Sequence, residues 1–211
     1  MRSPTVSRVH WDRLFEDLEG QLASEWESER AALDAESERL RISRLDLRDR
    51  LRVLCDSGAA ATVDVAGGDR IRVRLQALGA DWTAVALAEP EGAFRARATR
   101  IVPVHAIRGI GVDHGQLLAS LDGADRDDGV LQERMTLGFV LRDLARRRVP
   151  VRVLRVGDSE LHGTIDRAGA DHLDLAVHDA GAPRTVSAVR SFCIVPFSAL
   201  AGVQIVGDHM P

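Results

Sequence analysis

The chain has 211 residues, a formal net charge of -4, and 45% hydrophobic and 28% charged residues. That is the balance of a globular protein with room for one ordinary domain or two small ones, and it leaves no apolar run long enough to span a bilayer. Cys55 and Cys193 are the two cysteines and neither sits in a CxxC pattern; this excludes a disulfide framework and points, with residues 1–9 lacking the layout of a secretory signal, to a reducing cytoplasm.

The first element is a helix over residues 1–42. Trp11, Phe15, Leu18, Leu22, Trp26, Leu33 and Leu40 recur at gaps of 4, 3, 4, 4, 7 and 7, a helical stripe wide at its start and narrow later. From Val9 to Arg41 no proline interrupts it, so at 1.5 Å per residue it is roughly 50 Å long. Residues 1–45 carry seven Arg against ten acids, net -3. Such a stripe packs along its own chain, pairs with another copy or docks on a different protein. Trp11, Phe15, Leu18, Leu22 and Trp26 are therefore the candidate partner-binding residues, although Glu29 and Glu36 interrupt a coiled-coil seam.

Beyond the helix the chain repeats. Shifted by 90 residues, Leu51-Arg52 and Leu54 meet Leu141-Arg142 and Leu144, and Gly79-Ala80-Asp81 meets Gly169-Ala170-Asp171. At an offset of 93, Ile101-Val102-Pro103 meets Ile194-Val195-Pro196, and Ala106 and Gly109 meet Ala199 and Gly202. The copies are residues 43–115 and 134–211, joined by an acidic linker, 116–133. In each, a helix-capping residue (Asp46, Thr136) precedes a short helix with its leucines on one face. Alternation follows, as Ile71, Val73, Leu75 between Arg70, Arg72, Arg74, and as Val151, Val153 leading to Leu161, Gly163, Ile165; this is the period of half-buried strands. Gly67-Gly68-Asp69 and Gly157-Asp158 are turns between the first two strands. Val85, Leu87 and Leu173, Leu175, Val177 mark a third strand, Ile101, Val102 and Ile194, Val195 a fourth, and Ile107, Ile110, Val112 and Leu200, Val203, Ile205 a fifth. A helix and five short strands in about 70 residues suggest a small, strongly bent barrel.

In the second copy, Val151-x-Val153, Gly157-Asp158, Leu161-His162-Gly163-Thr164-Ile165, then Gly169, Leu173 and Leu175 resemble the first motif of the Sm-like family, which includes the bacterial RNA chaperone Hfq. Pro103-Val104-His105-Ala106-Ile107 is similar to the segment before the last strand of Hfq-type proteins. The pattern departs where Val73 replaces the bent-strand glycine, where Phe197-Ser198 replaces Val104-His105, and where Val104 stands for a basic residue. The resemblance implies an α+β, mostly β chain: a long N-terminal helix followed by two Sm-like, SH3-like five-stranded barrels, each led by a short helix. It also implies edge-to-edge joining of barrels, within a chain or between several, and binding of single-stranded RNA. The absence of Lys, Asn and Tyr, leaving 28 basic residues all Arg, matches the codon bias of a G+C-rich bacterial genome.

The candidate nucleic-acid residues follow. Alternation puts Arg70, Arg72 and Arg74 on one solvent face about 7 Å apart, near a phosphate spacing, and Arg95 and Arg97 extend the stripe from a nearby strand; a solvated exterior, or contacts to the acidic helix, accounts for the same pattern. Arg146, Arg147 and Arg148 end the second short helix, where cations face its negative pole or meet a phosphate. The resemblance places His105 where Hfq-type proteins contact RNA. His172, Asp174 and His178 share a strand face, but His172 and His178 stand near 20 Å apart, so no metal site is expected. Cys55 and Cys193 sit among apolar residues as structural thiols. No nucleophile elbow, zinc-helix or phosphate-loop pattern appears, so neither enzyme activity nor a cofactor is expected. Two functions remain: an Sm-like RNA-binding protein, or a protein-interaction adaptor or assembly scaffold using barrel edges and the helix without nucleic acid. RNA binding ranks first by a narrow margin, although eight aromatics, no Tyr and the acidic total argue against it and for the second.

Overall fold

A computed structural model describes residues 6–88, 94–125, 131–157, 159–182 and 184–205; the side chains of Trp11, Arg95 and Arg97 lie outside the described ones. The chain divides into two compact units, one ending at Asp46 and one beginning at Leu47. The first unit is α1, Val6–Ser43, a few residues longer at each end than the uninterrupted run from Val9 to Arg41. Its polar face is laced by pairs one turn apart: Arg39 with Glu36, and Arg41 with Glu38. Phe15, Leu18, Leu22, Trp26, Leu33 and Leu40 are all exposed.

The second unit opens with α2 (Leu47–Asp56), then β1 (Ala60–Val65), β2 (Arg70–Leu78), β3 (Trp82–Ala88), β4 (Phe94–Pro103) and β5 (Ile107–Gly111). A connector follows, α3 (His114–Ala119) with turns of 3-10 helix at Ser120–Asp125 and Leu131–Arg134. The same series then returns: α4 (Leu137–Arg147), β6 (Pro150–Arg155), β7 (Ser159–Ala168), β8 (His172–Val177), β9 (Ser191–Pro196) and β10 (Leu200–Ile205). A 3-10 turn precedes the last strand of each series, at Val104–Ala106 and Phe197–Ala199.

The duplication extends to individual hydrogen bonds. Gly79 N–H donates to the Trp82 carbonyl as Gly169 N–H does to His172, both at 2.8 Å. Val104 N–H donates to Asp81 as Phe197 N–H does to Asp171, and Ala66 N–H to Ala106 as Val156 N–H to Ala199. An irregularity in the β2–β3 register after Leu75 recurs in β7–β8 after Ile165, the local bend a bulge produces. Both short helices end in a left-handed residue, Gly58 (φ 59°) and Arg148 (φ 52°), followed by N–H bonds from Ala59 to Leu54 and from Val149 to Leu144. A left-handed conformation costs a non-glycine residue. Arg148→Gly is therefore expected to raise unfolding stability by about 1 kcal/mol in a urea titration, a gain that Arg147→Gly, inside the helix, does not give.

Among the described residues, ten strands form one antiparallel sheet that is not closed, ordered β5-β1-β2-β3-β4-β10-β6-β7-β8-β9. The expected α+β class and long N-terminal helix are present; in place of two separate five-stranded barrels, the strands of both copies run on in a single sheet. The reason is β4, a ten-residue strand whose outer edge hydrogen-bonds β10 (Val203 opposite Ile101, Gln204 opposite Arg100). Two cores form on this sheet. One gathers Leu51, Leu54, Val63, Val73, Leu75, Val85 and Val102. The other gathers Leu137, Leu141, Leu144, Val153, Ile165, Leu173, Leu175 and Val203, together with Trp82, Ala84 and Ile101 of the first copy. Ile101 and Val102, adjacent on β4, thus face different cores, so β4 is a wall common to both.

Candidate functional site: the seam and the two sheet edges

The seam between the copies is built from side chains as well as strands. The Asp81 carboxylate accepts the Leu137 N–H at 2.6 Å, satisfying a free donor in the first turn of α4 from the preceding copy. Thr136 supplies the N-cap itself, accepting the Phe139 N–H. The Trp82 indole N–H donates to the Met135 carbonyl at 2.8 Å, and Ala80 N–H reaches the same oxygen. From α2, Arg48 donates to the Glu133 carbonyl and Arg52 to the Glu133 carboxylate at 2.8 Å. The hydrogen bond with Glu133 raises the Arg52 pKa against the opposing effect of burial. These groups tie the connector down between α2 and α4.

The sheet ends at β5 on one side and β9 on the other, and neither borders a further strand among the described residues. By the repeat, β9 is the counterpart of β4 and β5 the counterpart of β10. Each outer edge is therefore a second version of one side of the seam. On β9, Phe192 and Ile194 are 69% and 70% exposed; Ile194 is the counterpart of Ile101, which is buried. Beside β5, a cavity of about 220 Å³ is lined by Leu47, Leu51, Ile107 and Ile110, the counterparts of Leu137, Leu141, Leu200 and Val203. In the second copy that set packs with Trp82, Ala84 and Ile101; in the first, Leu117 and Ser120 of the connector border it, with Arg50 donating to Ser120 Oγ at 3.0 Å.

The candidate nucleic-acid residues are spread over several elements, and Arg70, Arg74, Arg146 and Arg147 have local partners. Arg70, Arg72 and Arg74 are exposed on β2 as alternation requires. Arg70 holds Asp64 of β1 through two hydrogen bonds, of 2.6 and 3.0 Å, which lower the Asp64 pKa. Arg74 donates to the Gly58 carbonyl at 2.9 Å, and Arg72 lies opposite Thr62. Arg95 and Arg97 belong to β4, which β3 separates from β2. His105 is exposed in the turn before β5. Arg146 and Arg147 both pair with Asp143, one turn back on α4, and Arg146 is the larger cause of the lowered Asp143 pKa. Arg148 is the left-handed residue that ends α4.

The histidine face expected on β8 is corrected. The strand ends at Val177, and His178 turns inward, 4% exposed, sharing a 2.9 Å hydrogen bond with Thr164 Oγ1. His172 pairs with Asp171 at 2.8 Å. Cys55 is buried, and desolvation pushes its pKa up to about 11 against a hydrogen bond with Thr83, which keeps the thiol protonated and unreactive. Cys193 is only half-buried on β9, more open than a core position.

Asp81, Trp82, Arg48 and Glu133 went unrecognised in the sequence. The repeated Gly-Ala-Asp triplet marked Asp81 as part of the unit, but one copy of a turn capping the next copy's helix is visible only across the seam. No described helix is long and apolar enough to cross a membrane. Comparison with known proteins found no matching family model, no matching curated protein and no matching solved structure.

Proposed function

We propose that this protein is an assembly scaffold whose copies join edge to edge, β9 of one chain against β5 of the next. The observation that carries the reading is the β4–β10 seam: one chain contains a full joint between two copies of the unit, and its outer edges carry the other halves of the same joint. An edge strand with exposed apolar side chains is a template for pairing, and Phe192 and Ile194 on β9 fit that description. Joining the two ends of different chains is a heterologous, head-to-tail contact that closes into a ring or runs on as a filament. The counterparts of Trp82 and Ala84 on the β9 side are His172 and Asp174. The joint between chains is therefore more polar than the joint within one, which makes assembly weak and reversible. The two copies are taken as Sm-like small barrels opened at the seam, in keeping with their shared strand order. RNA binding is the less supported reading, because Arg70, Arg74, Arg146 and Arg147 have protein partners.

Sedimentation velocity of the full chain over a wide concentration range tests the proposal. The expected result is growth in whole-chain steps that Ile194→Lys abolishes while the circular dichroism spectrum stays unchanged. A chain that stays monomeric throughout overturns the reading. So does assembly that persists in Ile194→Lys, which would place the contact on α1. Tight binding of a single-stranded RNA that weakens steeply with salt and is lost in Arg72→Ala would favour the RNA reading instead.

A further inference from the structure

Strand pairing places Ala77, Ala84 and Ile101 of the first copy in one row, which Val203 of β10 continues across the seam. Residues directly opposite one another share a face of the sheet. Here that face covers α4: Ala84, Ile101 and Val203 belong to one core with Leu137, Val140 and Leu141. In the second copy the same row is Arg167, Asp174 and Ile194, and among the described residues it ends there, because β9 borders no further strand. The repeat aligns Asp174 with Ala84 and Ile194 with Ile101. Next to the edge, the β9 half of the joint therefore repeats the seam's isoleucine and puts a carboxylate behind it where the seam has a methyl group.

The β5 half differs from the seam by the opposite charge. On α2, Leu47, Arg50 and Leu51 stand at the places of Leu137, Val140 and Leu141. Val140 is buried in the core of the second copy. Arg50 instead lines the cavity between α2 and β5, together with Arg108, and no carboxylate is among the described residues that line it. Its guanidinium donates to Ser120 Oγ at 3.0 and 2.9 Å and to the Leu117 carbonyl at 3.3 Å. Both are neutral acceptors supplied by the connector. Asp174 meets Arg167 at 3.9 Å, and Arg167 stands on β7, one strand further from the free edge. His172, at the place of Trp82, is held by its neighbour Asp171.

We infer that Arg50 and Asp174 pair across the joint between chains, so that the partner selected by the α2–β5 cavity is the β9 end of a second copy of this chain. This rests on the edge-to-edge assembly proposed above and names what chooses the partner. The seam brings Ala84 and Val140 into one apolar core; the outer edges carry unlike charges at the same two places. As Ile194 of the next chain seats on the cavity, Asp174 behind it takes the Arg50 guanidinium over from Ser120, and the connector moves aside. A charge-assisted hydrogen bond replaces a neutral one. The pair also sets direction. Two β5 ends bring arginines together and two β9 ends bring carboxylates together, whereas the head-to-tail contact matches opposite charges.

Charge reversal in the full chain, read by sedimentation velocity, tests the pair. Arg50→Asp and Asp174→Arg should each raise the concentration needed for half-assembly about tenfold or more, because each sets like charges against one another. An equimolar mixture of the two variants should recover assembly, since every contact between unlike chains again joins opposite charges. The chain carrying both reversals should recover it alone. A chain with Arg50→Val and Asp174→Ala, which copies the seam, should assemble with little dependence on salt, whereas sodium chloride weakens assembly of the unaltered chain. Thermal melts verify the fold of each variant. Should Arg50→Asp not fold, Asp174→Arg must still weaken assembly more than Asp174→Ala does. Assembly that Ile194→Lys abolishes but both reversals leave unchanged, or that the mixture does not recover, overturns the ion pair and leaves the edge joint standing. A chain that stays monomeric in every form overturns the edge joint and the pair with it.

Discussion

Trp82→Ala should destabilise the sheet unit by about 3–5 kcal/mol, the usual cost of removing a large aromatic from a core. Trp82 is 4% exposed and belongs to the core of the second copy although it lies on a strand of the first. Its indole N–H also anchors the Met135 carbonyl just ahead of α4. Truncation therefore empties part of the second core and loosens the approach to its helix in one step. Urea unfolding followed by far-ultraviolet circular dichroism is the measurement, since Trp11 and Trp26 of α1 would confuse a fluorescence signal. Trp82→Phe should cost much less, because the Met135 oxygen keeps the Ala80 N–H as a donor. A loss under about 1 kcal/mol for the alanine variant would mean that the seam is a loose contact and not a common core.

The second large effect is at Gly163. A Cβ built there would stand 2.3 Å from the Ala176 carbonyl oxygen and 3.1 Å from its carbon. Backbone on the neighbouring strand cannot step aside as a flexible side chain can. Gly163→Val should therefore cost about 3 kcal/mol or more, with most of the loss already present in Gly163→Ala. The comparison that gives this result meaning is Val73, which holds the same place in the first copy and is fully buried without conflict. The two strands share order and register yet curve differently at one position. Denaturation midpoints of the two Gly163 variants provide the check, and a neutral Gly163→Val would show that β7 can relax to the curvature of β2.

Much of the local structure was legible in the chain. The long helix, the two short helices and the strands from Arg70, from Val85 and from Leu173 follow from spacing alone, because side-chain periods of 3.6 and 2 reflect how each backbone exposes one face. The left-handed ends of α2 and α4 were half legible: Gly58 signals such a residue, Arg148 does not, and only the repeat links them. His178 was misplaced because alternation says nothing about where a strand stops. The arginine stripe was placed correctly on β2, but its partners were not visible. Asp64 and Gly58 lie beside it only once β1 has folded against β2, and they turn a row of charge into cross-strand structure.

The repeated motif, a short helix and five strands, and the amphipathic helix ahead of it are legible along the chain, since they depend on residues near one another. How the two copies meet is settled by packing across the β4–β10 seam. Ile101 and Val102 look alike as neighbouring apolar residues, yet one belongs to each core. Arg100 looks like any surface arginine until β10 arrives beside it and removes its water. Pairing between strands a hundred residues apart is set by edge geometry and shared burial, and no local pattern along the chain encodes either.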